Sequence, residues 1–126
     1  MPFIEVLALE GRVAAKQAAA ERLTDALSGA FGIEKNIVTI FFIDVPAAHF
    51  WHGGKAAPHG GPNSVFVKVH ALRRDRAKRR AAAEELTRAL CATCPVAPGD
   101  VAIYFLERAE DECAHGGKLT ADLQGN

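Results

Sequence analysis

The sequence predicts an α/β (α+β) chain of two tandem βαβ units, forming a four-stranded mixed sheet with two helices on one face. Three observations carry that reading. The chain repeats itself at half its length without a gap: His52-Gly53-Gly54-Lys55 recurs as His115-Gly116-Gly117-Lys118, and Ala18-Ala19-Ala20-Glu21 recurs as Ala81-Ala82-Ala83-Glu84. About a third of the paired positions are identical, the mark of a duplicated structural unit. Each half runs from a short apolar segment through an Ala-rich stretch to a β-branched and aromatic segment, the order strand, helix, strand. A right-handed crossover between two such strands makes them parallel.

In order along the chain, Pro2–Leu9 is a largely apolar strand, read as buried on both faces. Val13–Phe31 has high helix propensity, and Leu23, Ala26, Leu27, Ala30 and Phe31 recur at steps of three and four residues, giving one apolar face. Gly32 marks the stop. Val38–Asp44 (VTIFFID) is too short and too β-branched for a helix and reads as the second strand. Pro46 turns the chain, and Gly53-Gly54 supplies the positive-φ pair of a tight hairpin, an assembly element rather than a catalytic one. In the second copy, Val65–Leu72 is a strand, Asp75 an N-cap, Arg76 to about Cys91 a helix and Val101–Glu107 a strand.

The Pro/Gly-rich stretch Ala57–Asn63 links the copies. We therefore expect one domain over 1–126, made of a first unit (2–56), a linker (57–63) and a second unit (64–126), neither unit folding alone. Helices on one face of four strands leave the other face apolar, and burying it against further copies of the chain is the economical solution.

With 126 residues, 49% of them apolar, the chain can bury a core without disulfides. Its 15 basic and 15 acidic residues cancel, so no global charge points to nucleic acid or an anionic membrane surface. No apolar run approaches membrane-spanning length and the N-terminus lacks signal-peptide order, so a cytoplasmic protein is expected. An odd count of three cysteines fits free thiols in a reducing compartment. Cys91 and Cys94, with Cys113 and His115, suggest zinc ligands, but Cys91 is in register with Ser28 and Cys94 with Phe31, positions of helix-end packing. No metal and no organic cofactor is expected.

The residue with distinctive chemistry is Pro2. After removal of Met1 it presents a secondary amine on a rigid ring at the first residue of a strand. The α-amino reference value is about 7.7–8.0 and a prolyl nitrogen is intrinsically more basic, so base catalysis near neutrality needs burial and nearby cations to depress it. Val65 occupies the matching position of the second copy, which leaves one reactive site per chain. Arg73, Arg74, Arg76, Lys78, Arg79 and Arg80 crowd the start of the second helix. Cations are unfavourable there unless an anion answers them, and a carboxylate substrate is such an anion. Arg12 lies at the matching junction of the first copy, and guanidinium forks grip carboxylates or carbonyls. Phe50 is an apolar candidate for desolvating the amine, with Trp51 beside it.

Pro2 behind the initiator Met, Leu9-Glu10-Gly11-Arg12 closing the first strand, and His49-Phe50 followed by Gly53-Gly54 resemble a 4-oxalocrotonate tautomerase subunit with a second copy fused behind it. The resemblance spans nearly the whole chain and implies the tautomerase (MIF-like) fold. Short members of that superfamily assemble as trimers of dimers and fused members as trimers, so it implies a homotrimer. It also implies that processed Pro2 is the catalytic base; Val65, with an amide nitrogen, is not a substitute. The second-strand arginine of 4-oxalocrotonate tautomerase falls on Thr39 and Ala102 here, leaving its electrophilic role to Arg74 or Arg76. Phe66–Arg74 is similar to the arginine-bearing strand end of cis-3-chloroacrylic acid dehalogenase, a fused relative. Hydrolytic relatives need a water-activating group, for which Glu107, Glu110 and Glu112 are candidates by position.

The resemblance thus implies a cofactor-independent tautomerase moving a proton between enol and keto forms of a 2-hydroxydienoate or α-keto acid. Pro2 is base and then acid. Arg12 with one or more of Arg73, Arg74 and Arg76 binds this small carboxylate substrate, and Phe50 and Trp51 line the pocket. The alternatives are a hydratase or dehalogenase acting on 3-haloacrylates, or a catalytically silent trimeric binding protein.

Overall fold

A computed structural model describes residues 1–124. The sheet is built from β1 (Phe3–Leu9), β2 (Thr39–Val45), β5 (Val65–Leu72) and β6 (Val101–Arg108), in the order β2-β1-β5-β6. Within each copy the strands are parallel, as a βαβ crossover requires. Between copies β1 and β5 are antiparallel, Phe3 lying opposite His70 and Ala8 opposite Val65. The two units therefore lie head to tail across the middle of the sheet, so the start of one copy's first strand meets the end of the other's.

The helices α1 (Lys16–Phe31) and α2 (Arg76–Thr93) pack on one face. They bury equivalent residues: Ala19, Leu23 and Leu27 in the first copy, Ala82, Leu86 and Leu90 in the second. Ile4, Val6 and Ala8 of β1 and Val67, Val69 and Ala71 of β5 face them, every second residue as the pleat dictates. Replacing Leu86, fully buried at the centre of this layer, by Ala is expected to cost about 2–5 kcal/mol. Urea unfolding measures this, and a shift in midpoint corresponding to less than about 1 kcal/mol would contradict the packing described.

Three differences from the sequence expectations have physical causes. β1 is not buried on both faces: Ile4, Val6 and Ala8 are buried, but Phe3, Glu5 and Leu7 are only partly covered, because the single chain places helices on one side alone. α1 starts three residues later than the Ala-rich pattern suggests. Gly11–Val13 form a turn in which Arg12 N–H donates to Leu9 O at 3.0 Å, and Val13 enters the core ahead of the helix. A short helix, α3 (Thr120–Gln124), ends the second copy where the first has its linker.

Three further expectations meet their elements. Gly32 closes α1 in the left-handed conformation, and Asp75 caps α2 by accepting from Lys78 N–H at 2.9 Å. The glycine pairs turn two small hairpins, β3 (Trp51–His52) with β4 (Lys55–Ala56) and β7 (Ala114–His115) with β8 (Lys118–Leu119). Gly53 and Gly54 have φ of 60° and 78°, the double positive-φ requirement of a type I′ turn.

Among the described residues no helix is long and apolar enough to cross a membrane, and no cluster of His, Cys, Asp and Glu could hold a metal. Cys94 packs in the core.

Candidate active site

Pro2 is buried at the mouth of the sheet, and its carbonyl accepts from Thr39 N–H at 3.3 Å, which joins the start of β1 to β2. Two cavities of about 340 Å³ each adjoin it. One is lined by Pro2, Thr39, Phe41, Cys113, His115 and Thr120, the other by His70, Leu72, Arg108, Glu112 and Cys113. Met1, Phe3 and Cys113 belong to the walls of both. Met1, 59% exposed, thus borders both cavities.

The basic junction of the second copy lies at this end, because antiparallel pairing carries β5 past Phe3 towards Pro2 and Met1. Its arginines divide by role. Arg74 is turned into the structure: its Nη1 donates to Leu72 O at 2.7 Å, its guanidinium lies 4.6 Å from the Phe31 ring centre, and its backbone N–H donates to Glu107 at 2.8 Å. Burial pushes the Arg74 guanidinium below its ordinary value, and Glu107 opposes that shift. Arg73 and Arg76 are exposed, and among the described residues neither has a carboxylate within 4.0 Å.

Glu107 is an anchor of this junction and not a residue of either Pro2 cavity. Its carboxylate, 9% exposed, takes Arg79 Nη1 at 2.6 Å as well as the Arg74 N–H. Glu107→Ala leaves that N–H and a partly buried guanidinium without their acceptor. The expected cost is about 2 kcal/mol, reduced from the fully buried case because Arg79 remains partly hydrated. Thermal unfolding checks it, with an unchanged midpoint as the contrary result.

Arg12, Phe50 and Trp51 are not at the Pro2 end of the protomer. Arg12 follows β1 at the opposite end, where its Nη2 donates to the His59 carbonyl. Phe50 lines a cavity of about 280 Å³ there with Leu7, Leu9, Val45, Ser64 and Lys68. Trp51 is 60% exposed and donates from Nε1 to Ala48 O at 3.0 Å. The cause is the head-to-tail pairing of the copies, by which each copy's junction and loop serve the other's first strand. Arg12 and Phe50 therefore stand near the start of the second copy's first strand, while the cavities at Pro2 take Arg108 and, in register with Phe50, Cys113.

Sequence reasoning missed His70 and Arg108, and weighed His115 only as a zinc ligand. Arg108 had a legible signal, a cation on the last residue of the fourth strand, level with Leu72. His70 had none, since its partner is far away in sequence. Its Nε2 lies 2.5 Å from Glu5 Oε1 across β1 and β5, and its ring stacks on Phe3 with centroids 4.1 Å apart.

The thiols differ in setting. Burial raises the Cys91 thiol above its ordinary value, and Asp100 and Cys94 push the same way. A raised value means less thiolate at any given pH near 8, so iodoacetamide should modify Cys91 more slowly in the native protein than in urea, with Cys94 protected. Peptide mass mapping reads this, and equal rates in both states would contradict it.

Residues 2–58 match the family model described as tautomerase enzyme, and the second copy repeats that unit. The first copy thus falls in the tautomerase family. No curated protein sequence matches the chain. Among solved structures, the chain is similar to a wild-type fused 4-OT protein described as an asymmetric trimer, at 20% identity over 97% of this chain and 98% of that one, with a TM-score of 0.87. It is also similar to malonate semialdehyde decarboxylase, at 20% identity over 98% and 97% with a TM-score of 0.78. A member of the cis-3-chloroacrylic acid dehalogenase family matches at 22% identity over 93% and 82%, with a TM-score of 0.76. At these identities the structural likeness establishes the tautomerase fold.

Proposed function

We propose that the processed chain is a cofactor-independent tautomerase that moves a proton between the enol and keto forms of a 2-hydroxydienoate or α-keto acid. The observation that carries this reading is a buried prolyl residue behind Met1, lining one of two adjoining cavities with largely apolar walls, the other of which holds Arg108. Removal of Met1 converts the Pro2 amide nitrogen into a secondary amine. Burial favours its neutral form, and so does the Arg108 charge nearby. The neutral amine takes a proton from the substrate and returns it at carbon. Arg73 and Arg108 hold the carboxylate, Phe3 and Phe41 cover the carbon skeleton, and Arg74 acts through the junction it braces.

We take the assembly to be a homotrimer, as described for the fused 4-OT relative, with the uncovered sheet face at its centre. Free Cys91, Cys94 and Cys113 suit a reducing, cytoplasmic setting. A hydratase or dehalogenase reading draws on the decarboxylase and dehalogenase neighbours and on Glu112 in the cavity that holds Arg108.

The deciding assay uses protein whose intact mass shows loss of Met1. It follows ketonisation of phenylenolpyruvate and 2-hydroxymuconate alongside halide release from 3-chloroacrylates. Rapid ketonisation with little halide release is the expected result. Halide release as the faster reaction would transfer the assignment to the dehalogenase class, and no turnover of any of them would leave the binding protein.

A further inference from the structure

We infer that His70, held by Glu5, is a second proton-handling residue of the Pro2 site. The inference rests on the reading of Pro2 given above and adds a catalytic group to it. Glu5 and His70 occupy adjacent strands on the sheet face away from the helices, with side chains 25% and 18% exposed. With Nε2–H donating to Glu5 Oε1 at 2.5 Å, the carboxylate sets the tautomer and leaves Nδ1 as the basic nitrogen of the ring. The Phe3 ring, stacked at 4.1 Å and 3° from parallel, fixes the imidazole plane.

Among the described residues Nδ1 has no hydrogen-bond partner, yet the one buried unpaired side-chain polar atom is Ser64 Oγ. Nδ1 is therefore not sealed off in the protomer, and the cavity His70 lines adjoins the Pro2 cavity across Met1, Phe3 and Cys113. Losing Met1 removes one of the residues that wall both cavities, with the prolyl amine on the side of one and the imidazole on the side of the other. A base oriented by a carboxylate beside a second titratable group is an arrangement for dividing proton transfer between two atoms.

In ketonisation the enol O–H bond breaks towards His70 Nδ1, and its electron pair becomes the carbonyl π bond. The imidazolium passes that proton through water to the neutral Pro2 amine, and the C=C pair forms a C–H bond with it from the resulting ammonium, which restores the neutral imidazole and the neutral amine for the next turnover. The net change is isomerisation, with no oxidant or co-reactant. The charged and titratable groups around His70 are Glu5 on β1, Lys68 on its own strand, and Arg108, Glu112 and Cys113 across the cavity.

The test uses His70→Gln, His70→Ala and Glu5→Gln in Met1-free protein with phenylenolpyruvate. Loss of the imidazole should lower kcat about 100-fold with KM within about threefold, and Glu5→Gln should lower kcat about tenfold. Added imidazole should restore part of the rate to His70→Ala and none to Pro2→Ala, a rescue that a purely structural role does not produce. Wild-type kcat in His70→Gln, or a loss in His70→Ala that imidazole leaves untouched, overturns the assignment. A second measurement needs neither turnover nor a variant. In ¹⁵N-histidine-labelled, Met1-free wild type, phenylpyruvate should shift the His70 Nδ1 resonance. If the wild type ketonises nothing, the tautomerase reading fails, and an unshifted Nδ1 then overturns the role of His70 separately.

Discussion

Pro2→Ala is expected to lower kcat for enol ketonisation by about 10²–10⁴-fold, the range that a positioned acid or base contributes. Alanine after Met1 still permits processing, so the variant presents a primary amine at the same place and the comparison isolates the ring. Proline's nitrogen is held by its own cyclic side chain and is intrinsically the more basic, whereas alanine's amine rotates about N–Cα. The variant therefore presents a weaker base without a fixed direction. The backbone bond from Thr39 N–H to the Pro2 carbonyl does not involve the ring, so the strand start should survive. Circular dichroism and unfolding midpoints near wild type would confirm that the loss is chemical. The pH–rate profile of the wild type should rise with a pKa below that of a free prolyl amine, and the variant should lose that limb. Retention of more than a tenth of wild-type kcat in Pro2→Ala would remove Pro2 from the mechanism.

Much of the fold was legible because a duplicated chain states each element twice. The buried triplets Ala19-Leu23-Leu27 and Ala82-Leu86-Leu90 are in register, so each helix supports the other's assignment. The glycine pairs do the same for the hairpins. The site was less legible, for a geometric reason. A linear repeat shows that two copies exist but not which end of one meets the start of the other. Assigning Arg12 and Phe50 to Pro2 assumes that a copy serves itself, whereas the Phe3–His70 register shows that the copies exchange their junctions. Arg74 illustrates a second limit. Its exposure to substrate depends on Phe31 and the Leu72 carbonyl, contacts that charge counting does not contain. His70 illustrates a third, since a histidine within an apolar strand becomes a candidate base only when Glu5 is seen beside it.

Tyr104→Asp is expected to dissociate the proposed trimer while leaving the protomer folded. Phe41, Ile43 and Tyr104 are 54%, 42% and 62% exposed on the sheet face opposite the helices, and Phe3, Leu7 and Phe66 extend this apolar surface around a polar centre of Glu5, Lys68 and His70. Several large apolar side chains exposed on one face mark an interface. The outer strands β2 and β6 also present unpaired edges, which neighbouring copies can cover. Tyr104 tests the face cleanly because its ring packs on Phe66 at 4.8 Å and lines none of the cavities described at Pro2. Covering such a side chain is worth about 1.5–3 kcal/mol, and burying a carboxylate in its place costs more. A threefold assembly repeats that penalty at every protomer, so dissociation at micromolar concentration should follow. Light scattering should move from three times the 13.4 kDa chain mass to a single chain, with helical circular dichroism retained because the α1 and α2 layer lies on the other face. A Tyr104→Asp protein that remains trimeric would show that the exposed face is not what joins the subunits.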